Sequence, residues 1–139
     1  MEPHLEGIGQ VKKFVFKIKE SLSNWVAVGM CHSKIVASKN YGFNFSSIGH
    51  GAYMVSANGG IWSHTKAEHN NSVKAFKFVK GDIIQVTANF TEKLVTFQKG
   101  SENYQLPFET IADDQLKPCV LFYYLNDEVE FLADFKEWY

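Results

Sequence analysis

The sequence lacks the features that would direct it to a membrane, an oxidising compartment or a nucleic acid. No run approaches the ~20 apolar residues that a membrane-crossing helix needs. The start, Met1-Glu2-Pro3-His4-Leu5-Glu6, has neither the basic residues nor the apolar stretch of a secretory leader. Only two cysteines occur, Cys31 and Cys119, each inside an apolar run where a reduced thiol serves as a small buried hydrophobe. No Cys/His array of zinc-site spacing is present. Positive charge is nowhere concentrated: 14 Lys plus Arg against 15 Asp plus Glu leave a net charge of −1, with basic residues scattered among acidic ones. A phosphate-backbone partner, which requires a clustered basic face, is therefore not expected. The expectation is an intracellular, cytoplasmic protein with no cofactor, no bound metal and neither nucleic acid nor membrane as partner, its oligomeric state left open.

Helical periodicity is also nearly absent, and period-two alternation takes its place. Phe14, Phe16 and Ile18 interleave with Lys13, Val15, Lys17 and Lys19, the pattern of a strand with one buried face. Further strands are expected over Trp25 to Cys31, Ala52 to Ser56, Ala75 to Val79, Ile83 to Phe90, Leu94 to Lys99, Pro118 to Leu125 and Val129 to Leu132, each rich in β-branched or aromatic residues. The closing Asp134 to Tyr139 is aromatic enough to pack back as an edge strand. Gly49-His50-Gly51, Asn58-Gly59-Gly60, Lys80-Gly81-Asp82 and Lys99-Gly100-Ser101 supply turn residues between the runs, and Thr91-Glu92-Lys93 reads as a hairpin loop. Many short strands in succession predict an all-β, two-sheet antiparallel β-sandwich. With 139 residues, 45% of them hydrophobic and 12 of them Phe, the chain suits one core, so residues 1–139 are expected to form a single domain. Two polar stretches, Ser33 to Ile48 and Ser63 to Ser72, read as long loops, which disproportionately carry function.

Catalytic constellations are scarce. His50, His64 and His69 fall in loops that could converge, but no Cys or carboxylate completes a tight metal-ligand spacing around them. Ser, His and Asp occur without the Gly-x-Ser-x-Gly elbow of a nucleophilic serine. A glycoside hydrolase needs two opposed carboxylates about 5–10 Å apart; Glu128 with Glu130 and Asp113 with Asp114 are the candidate pairs, and both read more simply as solvated surface charge. A carbohydrate-binding module needs only an exposed aromatic and a few polar groups, which Trp62, His64, Asn70 and Asn71 could supply. Trp25, flanked by apolar residues, is expected in the core, whereas Trp62, followed by Ser63-His64-Thr65-Lys66, could lie inside or out.

Four blocks, in order, resemble the SPRY domain family from about Phe14 to Leu132: Trp25 to Cys31 with its Val28-Gly29 step; Ala52 to His64; Phe78-Val79-Lys80-Gly81-Asp82 running on through Phe90 to Leu94–Lys99; and Leu116-Lys117-Pro118 entering Cys119 to Phe122, with Val129-Glu130-Phe131 closing. In the third block Gly81 is suited to a positive φ, Asp82 to bonding nearby backbone amides, and Ile84, Val86, Ala88 and Phe90 to lining one face. The texture of residues 49–64 is similar to SPRY domains of tripartite-motif-like ciliate proteins. The resemblance implies a concanavalin-like jelly-roll outline and a non-catalytic module that binds a peptide or protein surface through its loops, with target choice for a ubiquitin ligase as one use. It places pocket aromatics at Tyr41 and at Tyr123 and Tyr124, where Tyr gives contact area at little rotamer cost. Together with Trp62, His64 and Asn70 these are the candidate partner-binding residues. A lectin-like module is the alternative.

Overall fold

The computed structural model describes residues 10–22, 25–40, 48–66, 70, 75–122 and 125–138, with the backbone alone given for residue 10 and residues 133–138. Its strands are β1 (Gln10–Glu20), β2 (Ala27–His32), β3 (Ala52–Ser56), β4 (Ile61–Ser63), β5 (Ile83–Asn89), β6 (Leu94–Lys99), β7 (Glu102–Pro107), β8 (Leu116–Leu121) and β9 (Glu128–Trp138), and a short helix, α1 (Ser33–Ser38), follows β2. They form two antiparallel sheets, one ordered β7-β6-β5-β1-β9 and the other β4-β3-β2-β8. The fold is a β-sandwich.

Alternation decides the first sheet. Phe14 pairs with Val86, and Phe16 with Ile84, so the inward side chains of β1 and β5 stack in register. Val95 and Phe97 of β6 and Leu106 of β7 continue the same face, all buried. The opposite residues, Lys13, Gln85, Thr87, Thr96 and Gln98, are polar and half-buried or exposed. Val28 and Met30 of β2 and Tyr53 and Val55 of β3 meet this face from the second sheet, forming one large core. The second sheet is also covered on its other side: Ala27 and Cys31 of β2, Ala52 and Met54 of β3, and Trp62 of β4 pack with Val36 of α1, and Trp25, Cys119 and Leu121 pack partly buried against them. Every residue of β2, β3 and β4 is buried as a result.

The third sequence block folds as expected. Gly81 has φ +95°, and the Asp82 carboxylate accepts the Val79 N–H at 2.8 Å. The β5–β6 hairpin turns at residues 90–93, with Lys93 at φ +56°. Three departures have local causes. Residues 75–79 alternate, with Phe76 and Phe78 buried, yet are not a strand: Ala75 N–H donates to Gly59 O and Phe78 N–H to Ala57 O, so this extended segment is bonded to a turn and not to a ladder. β9 joins the two expected closing pieces into one edge strand paired along β1. Within the stretch expected as loop, Ser33 to Ser38 is helical. No helix among the described residues is long and apolar enough to cross a membrane.

Candidate functional site

Two regions gather chemistry, at opposite ends of the sandwich. One is polar and interior. Where β2 ends and β3 begins, His32, His50 and His64 come together with Tyr53. The His32 and His64 rings are 5.0 Å apart, the His50 and His64 rings 6.4 Å, and Tyr53 lies 5.3 Å from His32. All four side chains are buried. The Tyr53 hydroxyl accepts the Glu109 N–H at 3.2 Å and stands 2.9 Å from His32 Nε2. Gly51 N–H donates to His64 Nδ1 at 2.9 Å, and His64 Nε2 is 3.1 Å from the Glu109 carboxylate. Ala52 N–H donates to His50 Nδ1 at 3.2 Å, and His50 Nε2 faces Asn70 Oδ1.

These contacts assign the ring protons. A nitrogen that accepts an N–H holds no proton, so the neutral His64 and His50 rings carry theirs on Nε2. The Tyr53 O–H has one good acceptor among these contacts, His32 Nε2, which leaves the His32 proton on Nδ1; that atom is buried with no hydrogen-bond partner. Burial is the main cause that depresses His32 to a pKa of about 4, with His64 beside it adding to the effect against Asp114 and Glu109. Burial also lowers His50, and it raises Tyr53.

The donor types here suit a metal, since one candidate atom from each of His32, His64 and Glu109 lies within 4.8 Å of the others. The protonation pattern does not. The nitrogen of His64 that faces Glu109 is the protonated one, held so by the Gly51 amide, and a metal needs its lone pair. The cluster is a hydrogen-bonded network.

The other region is apolar and exposed. Where β1 and β8 end, the Asp127 carboxylate accepts the Leu22 N–H at 2.5 Å and ties the segment after β1 to the loop before β9. Around this tie Leu125 is 95% exposed, Leu22 59% and Phe122 49%. Phe122, Asp127, Glu128, Val129, Glu130 and Lys19 line an open groove of about 520 Å³, its rim held by a Lys19–Glu130 ion pair at 3.7 Å. Exposed apolar side chains clustered at loops mark interaction surfaces more often than scattered ones do.

Of the six residues the sequence singles out, three can be located. Trp62, a candidate binding residue for which the sequence leaves inside and outside equally open, is 5% exposed; its indole N–H donates to Ser56 Oγ at 3.1 Å and its ring packs 5.9 Å from Trp25. Because β4 is covered on both faces, a Trp there is interior whichever way it points. His64 and Asn70 are buried too: His64 belongs to the network above, and Asn70 receives Ser63 N–H at 2.7 Å and returns a bond to Ser63 O, clamping its loop to β4. None of the three presents a free side chain. Tyr41, Tyr123 and Tyr124 lie outside the described residues. Leu22, Phe122 and Leu125 were missed; an exposed apolar residue at a strand end or in a loop has no sequence signature of its own.

The SPRY domain family model matches residues 12–134. The crystal structure of the SPRY domain of human HERC1 is similar at TM-score 0.68 and 19% identity, covering 89% of this chain and 75% of that one. At that identity the likeness is one of fold. No curated protein sequence matches.

Proposed function

Because the chain belongs to the SPRY domain family, whose members are generally protein-interaction modules without catalytic activity, we propose that it is a non-catalytic domain that recognises a peptide or protein surface through its loops. The observation that carries this reading is the exposed apolar cluster of Leu22, Phe122 and Leu125, held in place by Asp127 beside the position of Tyr123 and Tyr124 in the sequence. An exposed apolar patch rimmed by polar groups suits an anchor residue on a partner. Choosing the target of a ubiquitin ligase is the finer use this family membership suggests, and residues 1–139 act as one unit in it. The carbohydrate-binding alternative drew on an exposed Trp62; with that indole buried, the protein-binding reading has the better support.

The test is capture of partners on the immobilised domain, followed by titration with Leu125→Asp, Phe122→Ala and Tyr124→Ala variants, and with Lys66→Ala as a distant control. Truncating a central anchor costs at least ~2 kcal/mol, about thirtyfold in Kd. Unchanged affinity in all three loop variants would remove the loop site; release of captured proteins by free sugar would favour the alternative.

A further inference from the structure

The histidine network has a property that the binding reading does not use. Each ring accepts one hydrogen bond from a donor fixed by the fold: His32 from the Tyr53 O–H, His50 from the Ala52 N–H and His64 from the Gly51 N–H. Protonating any of these rings fills the accepting nitrogen and turns it into a donor facing a donor. The bonds at stake join separate segments. Gly51 immediately precedes β3 and Ala52 begins it; Tyr53 in turn receives the Glu109 N–H, and His64 contacts the Glu109 carboxylate. Asp114, in the same loop as Glu109, accepts Lys34 N–H at 2.8 Å and Ile35 N–H at 3.2 Å and so holds the first turn of α1.

We propose that the three-histidine cluster is an acid-labile clasp, which at neutral pH holds the loop of residues 108–115 and α1 to the start of β3 and releases them in mild acid before the core unfolds. His32 faces His64, Tyr53, Asp114 and Glu109; His50 faces His64 and, farther off, Lys39; His64 faces Glu109 and the two other rings. The two carboxylates favour a charged His32, but burial outweighs them. The released form, with the His32 and His50 rings in water, regains their ordinary imidazole affinity for protons. Mild acid therefore favours opening.

With His32 shifting from an ordinary 6.5 to about 4 in the closed form, its protonation alone raises the opening equilibrium about thirtyfold between pH 7.5 and 5. The experiment is amide hydrogen exchange by NMR on the native protein at both pH values, each rate divided by its intrinsic rate. The expected result is that protection at Gly51, Ala52 and Glu109 falls about thirtyfold between the two pH values and at both stays well below that at Val86 in β5, whose exchange requires global unfolding. A His32→Gln variant, whose side-chain oxygen accepts the Tyr53 O–H at any pH, should lose most of that fall. Protection at the three amides equal to that at Val86, which would mean that they exchange by global unfolding alone, overturns the proposal, as does a protection that does not change with pH or an undiminished fall in the variant. If the variant does not fold, the comparison within the native protein decides alone.

Discussion

Replacing Gly29 by Ala should destabilise the fold far more than a one-carbon change ordinarily does. Gly29 sits in the middle of β2, between Met54 of β3 and Cys119 of β8. A Cβ built there overlaps the Tyr53 carbonyl oxygen and lies 2.8 Å from Met54 Cα. Both are backbone atoms of a central strand, so no side chain can swing aside and the strands themselves must part. Overpacking of this kind costs about 1–3 kcal/mol, and a strained ladder loses one or two bonds worth ~0.5–1.5 kcal/mol each. Relief of glycine's extra unfolded-state entropy returns roughly 0.5–1 kcal/mol. The net is about 3 kcal/mol, a large share of the 5–15 kcal/mol typical of a domain. Urea unfolding followed by tryptophan fluorescence should show the midpoint lowered by about 2 M at an m-value of ~1–3 kcal/mol/M. Gly100→Ala is the control: its Cβ meets nothing within 4 Å and only its φ of +59° opposes the change, which costs about 1–2 kcal/mol. A Gly29→Ala midpoint no lower than that of Gly100→Ala would refute the steric argument.

Asp114→Ala should cost about 1–3 kcal/mol, because the Lys34 and Ile35 amides and the Ser33 hydroxyl lose their acceptor; Asp114→Asn, which keeps an acceptor, should cost less in the same urea assay. Tyr53→Phe removes the hydroxyl that serves both His32 and Glu109 and should cost about 1–3 kcal/mol, with Glu109 amide protection lost first. Global stability should also depend on pH through His32: the folded state disfavours its charged form, so the stabilisation is complete above pH 6.5, declines as pH falls towards 4 and is flat below. For this fully buried ring the loss is about 3 kcal/mol, and urea midpoints that do not change between pH 7 and 4 would contradict it.

The strands legible in the sequence are those with an alternating or apolar run of five residues or more. β1, β3, β5 and β6 lie where alternating or apolar runs predict them, β3 and β6 to the residue. β7 escaped because Glu102-Asn103-Tyr104-Gln105-Leu106-Pro107 buries only Leu106 fully, and β4 because three residues make no pattern. α1 spans less than two turns, and its cap, Asp114, is some eighty residues away in the chain. Residues 75–79 show the converse: an extended segment acquires a period of two from its buried phenylalanines without any neighbouring strand. The site divides the same way. His50 and His64 were visible as loop histidines, but their partners His32, Tyr53 and Glu109 are brought in by strand pairing and a distant loop, which spacing does not encode.

Burial of β2 and β3 on both faces also governs where the chain can change. In those strands no side chain borders water, so every substitution is tested against close-packed neighbours. The outer face of the first sheet, with Gln85, Thr87, Thr96, Gln98 and Gln105, and the loop ends around Leu22 and Leu125 meet solvent instead. Sequence drift should therefore be channelled into one sheet face and the loop tips, letting recognition diversify while the inner sheet keeps the geometry that presents it.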